Sequence, residues 1–267
     1  MKHATRAGLA GALVLGGLAA LSLAPSAAGD DAMSGEAILR KADKDHRSTD
    51  EKSVVQMVLV AANDERQRRV MEVLTRSGQG DDDLNVLRFL EPVNIRNEAV
   101  LTIEATGRAD DQWLFIPALR KTKRIASSQR SQRFAGTDFT FEDLRTEDFP
   151  RNSYKTLADS TVDGTACYVV EATAKEADSS AYGKRQLHVD KARFLILKVE
   201  FFDKQGRHCK TLLNKGYEQV QGLWRPKEAM MEDLIRSTKT VMRFTERQIN
   251  PGLPESTFTE AALERGA

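Results

Sequence analysis

The sequence predicts a mainly β protein, built on one large curved antiparallel sheet with a helix before it and a short helical tail after it. Three observations point there. From residue 52 onward, runs rich in β-branched and aromatic residues alternate with turn clusters at fairly regular spacing. The gaps between these runs are short, so neighbours pair antiparallel and no room remains for repeated crossover helices. With 40% hydrophobic and 30% charged residues, the chain is ordinarily globular and nothing in it reads as disordered.

Residues 1–28 stand apart from this pattern. Lys2, His3 and Arg6 are followed by a small and apolar run over 8–24 and then by Pro25-Ser26-Ala27-Ala28. A basic end, an apolar middle and small residues at a cleavage site make a secretory signal. The apolar run, about 17 residues rich in Gly and Ala, sits at the short limit for spanning a bilayer. We therefore expect 1–28 to be a cleaved signal peptide and 29–267 to form a single domain. A lipid-anchored form would need a Cys directly after the small residues, and the two cysteines are Cys167 and Cys209. The expectation is thus a soluble, unanchored periplasmic protein. Losing Lys2 and Arg6 takes the balance from 40 basic against 39 acidic residues to 38 against 39, a net charge of −1. That excludes nucleic acid as a natural partner class.

The first element of the domain is a helix from Ser34, an N-cap type residue, with Ala37, Ile38, Lys41 and Ala42 along one stripe. Asp43-Lys44-Asp45 has the look of a calcium loop, but Arg47 and Ser48 fall where an oxygen ligand and a turning Gly are needed. Neither a metal nor a cofactor is expected. Strands follow at 54–60, 69–75, 84–90, 99–105, 113–116, 154–158, 166–172, 185–189, 194–202, 209–217, 224–234 and 240–249. Asp163-Gly164, Asp203-Lys204-Gln205-Gly206 and Gln221-Gly222 supply turns. A sheet of roughly 11 or 12 strands must curl, split or close. Closure in the outer membrane is disfavoured by an aromatic content of 6%, by densely charged strands and by the helical character of 261–267. An oxidising compartment would permit a Cys167–Cys209 bridge. Two strands are expected between them, beyond bridging distance unless the sheet curls.

Residues 89–144 are the most distinctive. In Trp113-Leu114-Phe115-Ile116, Trp113 and Phe115 point one way, Leu114 and Ile116 the other, so both faces need cover. The cover is either ordinary core or, on one face, a ligand. Arg120, Lys121, Lys123, Arg124, Arg130 and Arg133 then form a basic run without an acid, leading to Phe134-Ala135-Gly136-Thr137-Asp138-Phe139. Such a run is either a solvated strand and loop paired with the acidic stretch after it, or a cationic rim suited to an anionic headgroup or an acidic partner.

Neither a G-x-S-x-G elbow nor an H-E-x-x-H helix is present. His188 and Asp190 share a strand face and read as a surface pair, while His208 and Cys209 point to opposite faces. No catalytic site is expected.

The strings Phe89-Leu90-Glu91-Pro92, 111–121 and 136–144 resemble those of the outer-membrane lipoprotein-sorting protein family, related to the carrier LolA and the receptor LolB. The resemblance spans about 34–264, and Arg96-Asn97 departs from it where such relatives place a Gly turn. It implies a half-open, unclosed barrel, short helical segments as a lid, and an apolar cavity for the acyl chains of lipoproteins or lipids. On that basis Trp113, Phe115, Arg120, Lys121, Arg124, Phe134 and Phe139 are expected at the cavity or its rim. The implied protein is a monomeric carrier, with an inner-membrane transporter or permease as a further partner. The alternative is a non-enzymatic module that binds another envelope protein through a sheet edge or the basic rim.

Overall fold

The computed structural model describes residues 33–265, apart from 79–81, 107 and 109. The expected signal segment lies outside the described residues. Helix α1 (Gly35–His46) comes first, followed by β1 (Asp50–Val60), β2 (Arg66–Ser77), β3 (Asp83–Glu91), β4 (Ala99–Ile103), β5 (Asp111–Ile116) and β6 (Lys121–Arg124). Residues 125–151 carry short 3-10 turns and an isolated antiparallel bridge between Arg133 and Thr140. The second series is β7 (Asn152–Val162), β8 (Thr165–Ala174), β9 (Lys184–Asp190), β10 (Ile196–Phe202), β11 (His208–Lys215), β12 (Glu218–Val220), β13 (Leu223–Arg225), β14 (Glu228–Asp233) and β15 (Thr238–Ile249). A 3-10 turn at Glu255–Thr257 and helix α2 (Glu260–Arg265) end the described chain.

Thirteen strands form one antiparallel sheet in the order β6-β5-β4-β3-β2-β1-β15-β14-β11-β10-β9-β8-β7, and β12–β13 stand apart as a hairpin. The edge strands β6 and β7 are not paired with each other, so the sheet curls without closing. The two series are joined in the middle, where β1 pairs along its length with β15.

The described residues form 15 strands, more than the 11 or 12 expected, for local reasons. Lys121–Arg124 is all polar and shows no alternation, yet it pairs with β5 from Trp113 to Ile116. A charged edge strand of this kind discourages further strand addition. The apolar runs expected at 209–217 and 224–234 are broken between Gly216 and Pro226. Gly216 adopts φ +63°, and proline has no N–H for a ladder. The intervening residues fold as the β12–β13 hairpin over Gln221-Gly222, at φ +49° and +88°, the twist a two-residue hairpin favours. Where a Gly turn was expected, Asn97 takes φ +65°, a conformation its short polar side chain tolerates.

Helix α1 begins as predicted, with Ser34 Oγ accepting from the Ala37 N–H at 3.2 Å. Its buried stripe is Gly35, Ile38, Leu39 and Ala42, rotated from the expected one to include Leu39. Burying Ile38 and Leu39 contributes roughly 1.5–3 kcal/mol each. Gly35 lets the helix approach closely, since a Cβ there would meet Val170 Cγ1 at 2.9 Å. The strands thus cover two surfaces. The concave face packs Val55, Met57, Met71, Leu87, Phe89, Leu187, Val199 and Met231 against α1 and the 125–151 segment. On the outer face, Leu74, Val86, Leu101 and Phe115 pack against Phe258 and Leu263 of the C-terminal segment.

Candidate functional site

The 125–151 segment forms a lid over the concave face, and its hydrogen bonds explain why it stays there. Asp138, 1% exposed, accepts from Thr238 Oγ1 at 2.5 Å, Thr240 Oγ1 at 2.7 Å and Arg133 Nη2 at 3.0 Å. Gln112 Nε2 donates to Phe141 O at 3.1 Å. Lys210 Nζ donates to Asp138 O at 2.9 Å and pairs with Asp143 at 3.2 Å. At the far end Glu104 accepts from the Thr146 N–H at 2.7 Å and from its hydroxyl. Between these anchors the phenylalanines turn inward: Phe134 stacks on Phe89 with centroids 5.4 Å apart, and Phe141 meets Phe134 edge-on at 5.9 Å.

The lid does not fill the space beneath it. Two adjoining cavities of about 310 and 340 Å³ lie on the second half of the sheet, sharing Glu147, Leu187, Ile196 and Asn214 in their walls. Leu187, Val199, Phe201, Leu212 and Met231 make an apolar floor in the first cavity, with Phe139 and Tyr182 above. Leu39 and Ala42 of α1, Phe149, and Trp224 of the β12–β13 hairpin close the second.

The polar wall is concentrated on one side. Glu147 accepts from Tyr154 Oη at 2.7 Å, Arg185 Nη2 at 2.9 Å and Asn152 Nδ2 at 3.0 Å. Burial works against the charge of Arg185, yet the Glu147 carboxylate beside it holds the guanidinium above its ordinary range. Burial, then Glu147, pushes the Tyr154 phenol up. Tyr182 is likewise raised by burial and by Asp143, to which its hydroxyl donates at 2.8 Å. These carboxylates, phenols and cations are engaged with one another. The first cavity thus joins an apolar floor to a polar wall that also includes Arg145, Asp148, Arg151 and Asn214.

The residues singled out from sequence fall into three groups. Phe139 lines the first cavity, and Phe134 lies in the lid core beside it. Trp113 and Phe115 lie on the outer face, covered by α2 rather than by α1 or the cavity, because β5 turns only Leu114 to the concave core. Arg120, Lys121 and Arg124 are exposed at the β5–β6 edge, with Arg124 paired to Asp111. The floor on β9, β10, β11 and β14 was not singled out, although β10 and β14 alternate regularly between buried and half-buried residues. Alternation marks a covered face without saying which face the lid covers.

His188 and Asp190 are not a surface pair. Both are buried, and they serve different partners. Asp190 caps the turn at 191–193 through the Ala192 N–H at 2.8 Å and Arg193 Nε at 2.7 Å. His188 sits between Ser160 Oγ on Nδ1 at 2.7 Å and Glu200 Oε2 on Nε2 at 2.8 Å. Burial lowers the imidazole, and Glu200 works against that shift. The nitrogens are used in the reverse sense to a serine hydrolase, where the nucleophile meets Nε2. Both cysteines are free, Cys167 on β8 and Cys209 on β11 with β9 and β10 between them, as the strand reading expected. Among the described residues, no helix is long and apolar enough to cross a membrane.

Comparison with known proteins agrees with this architecture. A family model described as an uncharacterized protein matches residues 81–265. No curated protein matches the chain. Among solved structures, an outer membrane lipoprotein-sorting protein domain from Vibrio parahaemolyticus is 30% identical, with a TM-score of 0.83 over 86% of this chain and 98% of that one. A LolA superfamily protein from Nitrosomonas europaea is 25% identical, with a TM-score of 0.69 over 86% of this chain and 100% of that one. A DUF1329 family protein from Desulfovibrio piger, 24% identical with a TM-score of 0.82 over 86% of this chain and 97% of that one, shares the fold. With its unclosed sheet, its lid and the cavity between them, the chain belongs to the outer membrane lipoprotein-sorting protein family of the LolA superfamily.

Proposed function

We propose that this protein is an exported periplasmic carrier that holds an acyl chain of a lipoprotein or lipid, non-covalently, in the cavity beneath the lid. The observation that carries this reading is the cavity of about 310 Å³ beneath the lid, with Leu187, Val199, Phe201, Leu212 and Met231 as its apolar floor. A methylene takes roughly 30 Å³, about a water's share of the liquid. Each cavity, at about 310 or 340 Å³, therefore admits a chain of about ten carbons. At about 0.8 kcal/mol per methylene the gross gain is roughly 8 kcal/mol. The cost of association reduces that figure to a reversible affinity. Contacts of this kind are non-directional, so they discriminate weakly between chains and suit uptake followed by release. The exposed cations Arg120, Lys121 and Arg124, at the β5–β6 edge and outside the walls of both cavities, offer a basic surface for an acidic docking partner such as an envelope transporter.

The test is purification from the periplasm without detergent, then organic extraction and mass spectrometry, on the wild type and on Leu187→Trp. Leu187 borders both cavities, so the indole occupies their junction. Near-stoichiometric acyl lipid or lipopeptide in the wild type, and its loss from a folded variant, is the expected outcome. Folded, lipid-free wild type would favour the protein-binding module instead.

A further inference from the structure

The outer face of the sheet holds a second recess, on the opposite side from the acyl cavity. Leu74 of β2 with Val86 and Arg88 of β3 form its base, and Ser256, Thr257, Ala262 and Arg265 of the C-terminal segment form its walls, enclosing about 240 Å³. Arg88 is 4% exposed. In the ladder it lies between Glu72 and Ala99, and the small Ala99 leaves room beside it.

The bonding of Arg88 is incomplete. Nη2 donates to Leu263 O at 2.9 Å, which ties down the end of α2. Nε and Nη1 are buried and have no hydrogen-bond partner. Glu72, its cross-strand neighbour, is already engaged by Lys52 Nζ at 2.7 Å. Among the residues that line the recess, the charged ones are the cations Arg88 and Arg265. Leaving donors of a buried cation unmade is costly. Fastening α2 needs only one of the three guanidinium nitrogens, and it accounts for neither the other two nor the recess.

We propose that this recess binds a tetrahedral oxyanion of the phosphate class. Arg88 is the buried cation, Arg265 the cation at the lip, and the Ser256 and Thr257 hydroxyls are the flanking donors. Charge-assisted bonds to an oxyanion are the strongest a guanidinium makes, and the apolar wall formed by Leu74 and Val86 leaves space for a short organic substituent. The anion would arrive free or as part of a phosphoryl headgroup.

The experiment is isothermal titration of the mature protein with inorganic phosphate and with glycerol 3-phosphate, at constant ionic strength. Wild type, Ala262→Leu and Arg88→Lys are compared. Ala262→Leu fills the recess without touching the guanidinium, and Arg88→Lys keeps a cation and one donor for Leu263 O while removing the others. Saturable binding to the wild type, weakened at least about tenfold in both folded variants, is the expected result. Glycerol 3-phosphate binding about tenfold tighter than phosphate would assign the site to a headgroup, and equal affinities would assign it to the free anion. Absence of saturable binding of either probe to the folded wild type overturns the proposal, and so does wild-type affinity in Arg88→Lys. Should Ala262→Leu fail to fold, Arg88→Lys decides alone.

Discussion

Glu104 offers a test of how the lid is held, because its charge state changes close to neutral pH. The carboxyl is 8% exposed and grips the Thr146 N–H and hydroxyl. Burial is the main cause of its raised pKa, with Asp83 adding to the shift and the Thr146 bonds and Arg145 opposing it, and the result is about 7 against an ordinary 4.5. Between those two values the folded state keeps a proton that the unfolded chain releases, so stability falls as pH rises. At 1.36 kcal/mol per unit, the full loss is roughly 3 kcal/mol, reached above pH 7 and absent below about 4.5. Glu104→Gln keeps the acceptor for the Thr146 N–H and adds an amide that donates to the hydroxyl, and it carries no charge at any pH. Melts of wild type and Glu104→Gln should therefore nearly coincide at pH 4.5 and diverge by pH 8, with the variant more stable by roughly 3 kcal/mol, about 6–12 °C for a domain of this size. Titrating groups that are not coupled to Glu104, His188 among them, affect both proteins alike and cancel in the difference. A constant difference between the two melts from pH 4.5 to pH 8 would refute the assignment of the shift to Glu104.

Two further outcomes follow from the packing. Asp138→Ala strands the Thr238 and Thr240 hydroxyls and Arg133, at a cost of about 3 kcal/mol, and hydrogen exchange should rise selectively over 134–148; uniform exchange across the sheet would show that Asp138 does not anchor the lid. Phe115→Ala removes a ring packed under α2 and should cost about 3 kcal/mol in denaturant melts while leaving acyl lipid in the extract. Lost lipid at undiminished stability would return Phe115 to the cavity lining.

Much of the fold was legible because it rests on local patterns. Ser34 announces α1, Asp163-Gly164 and Gln221-Gly222 announce hairpins at φ values that glycine and short polar residues accept, and period-two alternation marks the strands. The distance between Cys167 and Cys209 followed from strand order alone. The lid string 136–144 stood out because nearly every residue in it makes a specific bond or packs a ring: Thr137, Asp138 and Thr140 are buried polar groups, and Phe139 and Phe141 join the core.

Pattern also has a limit, visible at β5. Alternation showed that Trp113 and Phe115 share a face and that the face is covered, but not by what; the cover is α2, whose residues lie some 145 positions later in the chain. The same holds for the cavity floor, for the Glu147–Arg185 wall and for Arg88, each assembled from strands and loops far apart in sequence. The sequence by itself determined the elements, the antiparallel pairing of neighbours and the family. Only the tertiary structure decided which side of the sheet holds the cavity, because strand periodicity is the same on both faces, and long-range closure of β1 on β15 and the lid's hydrogen bonds break that symmetry.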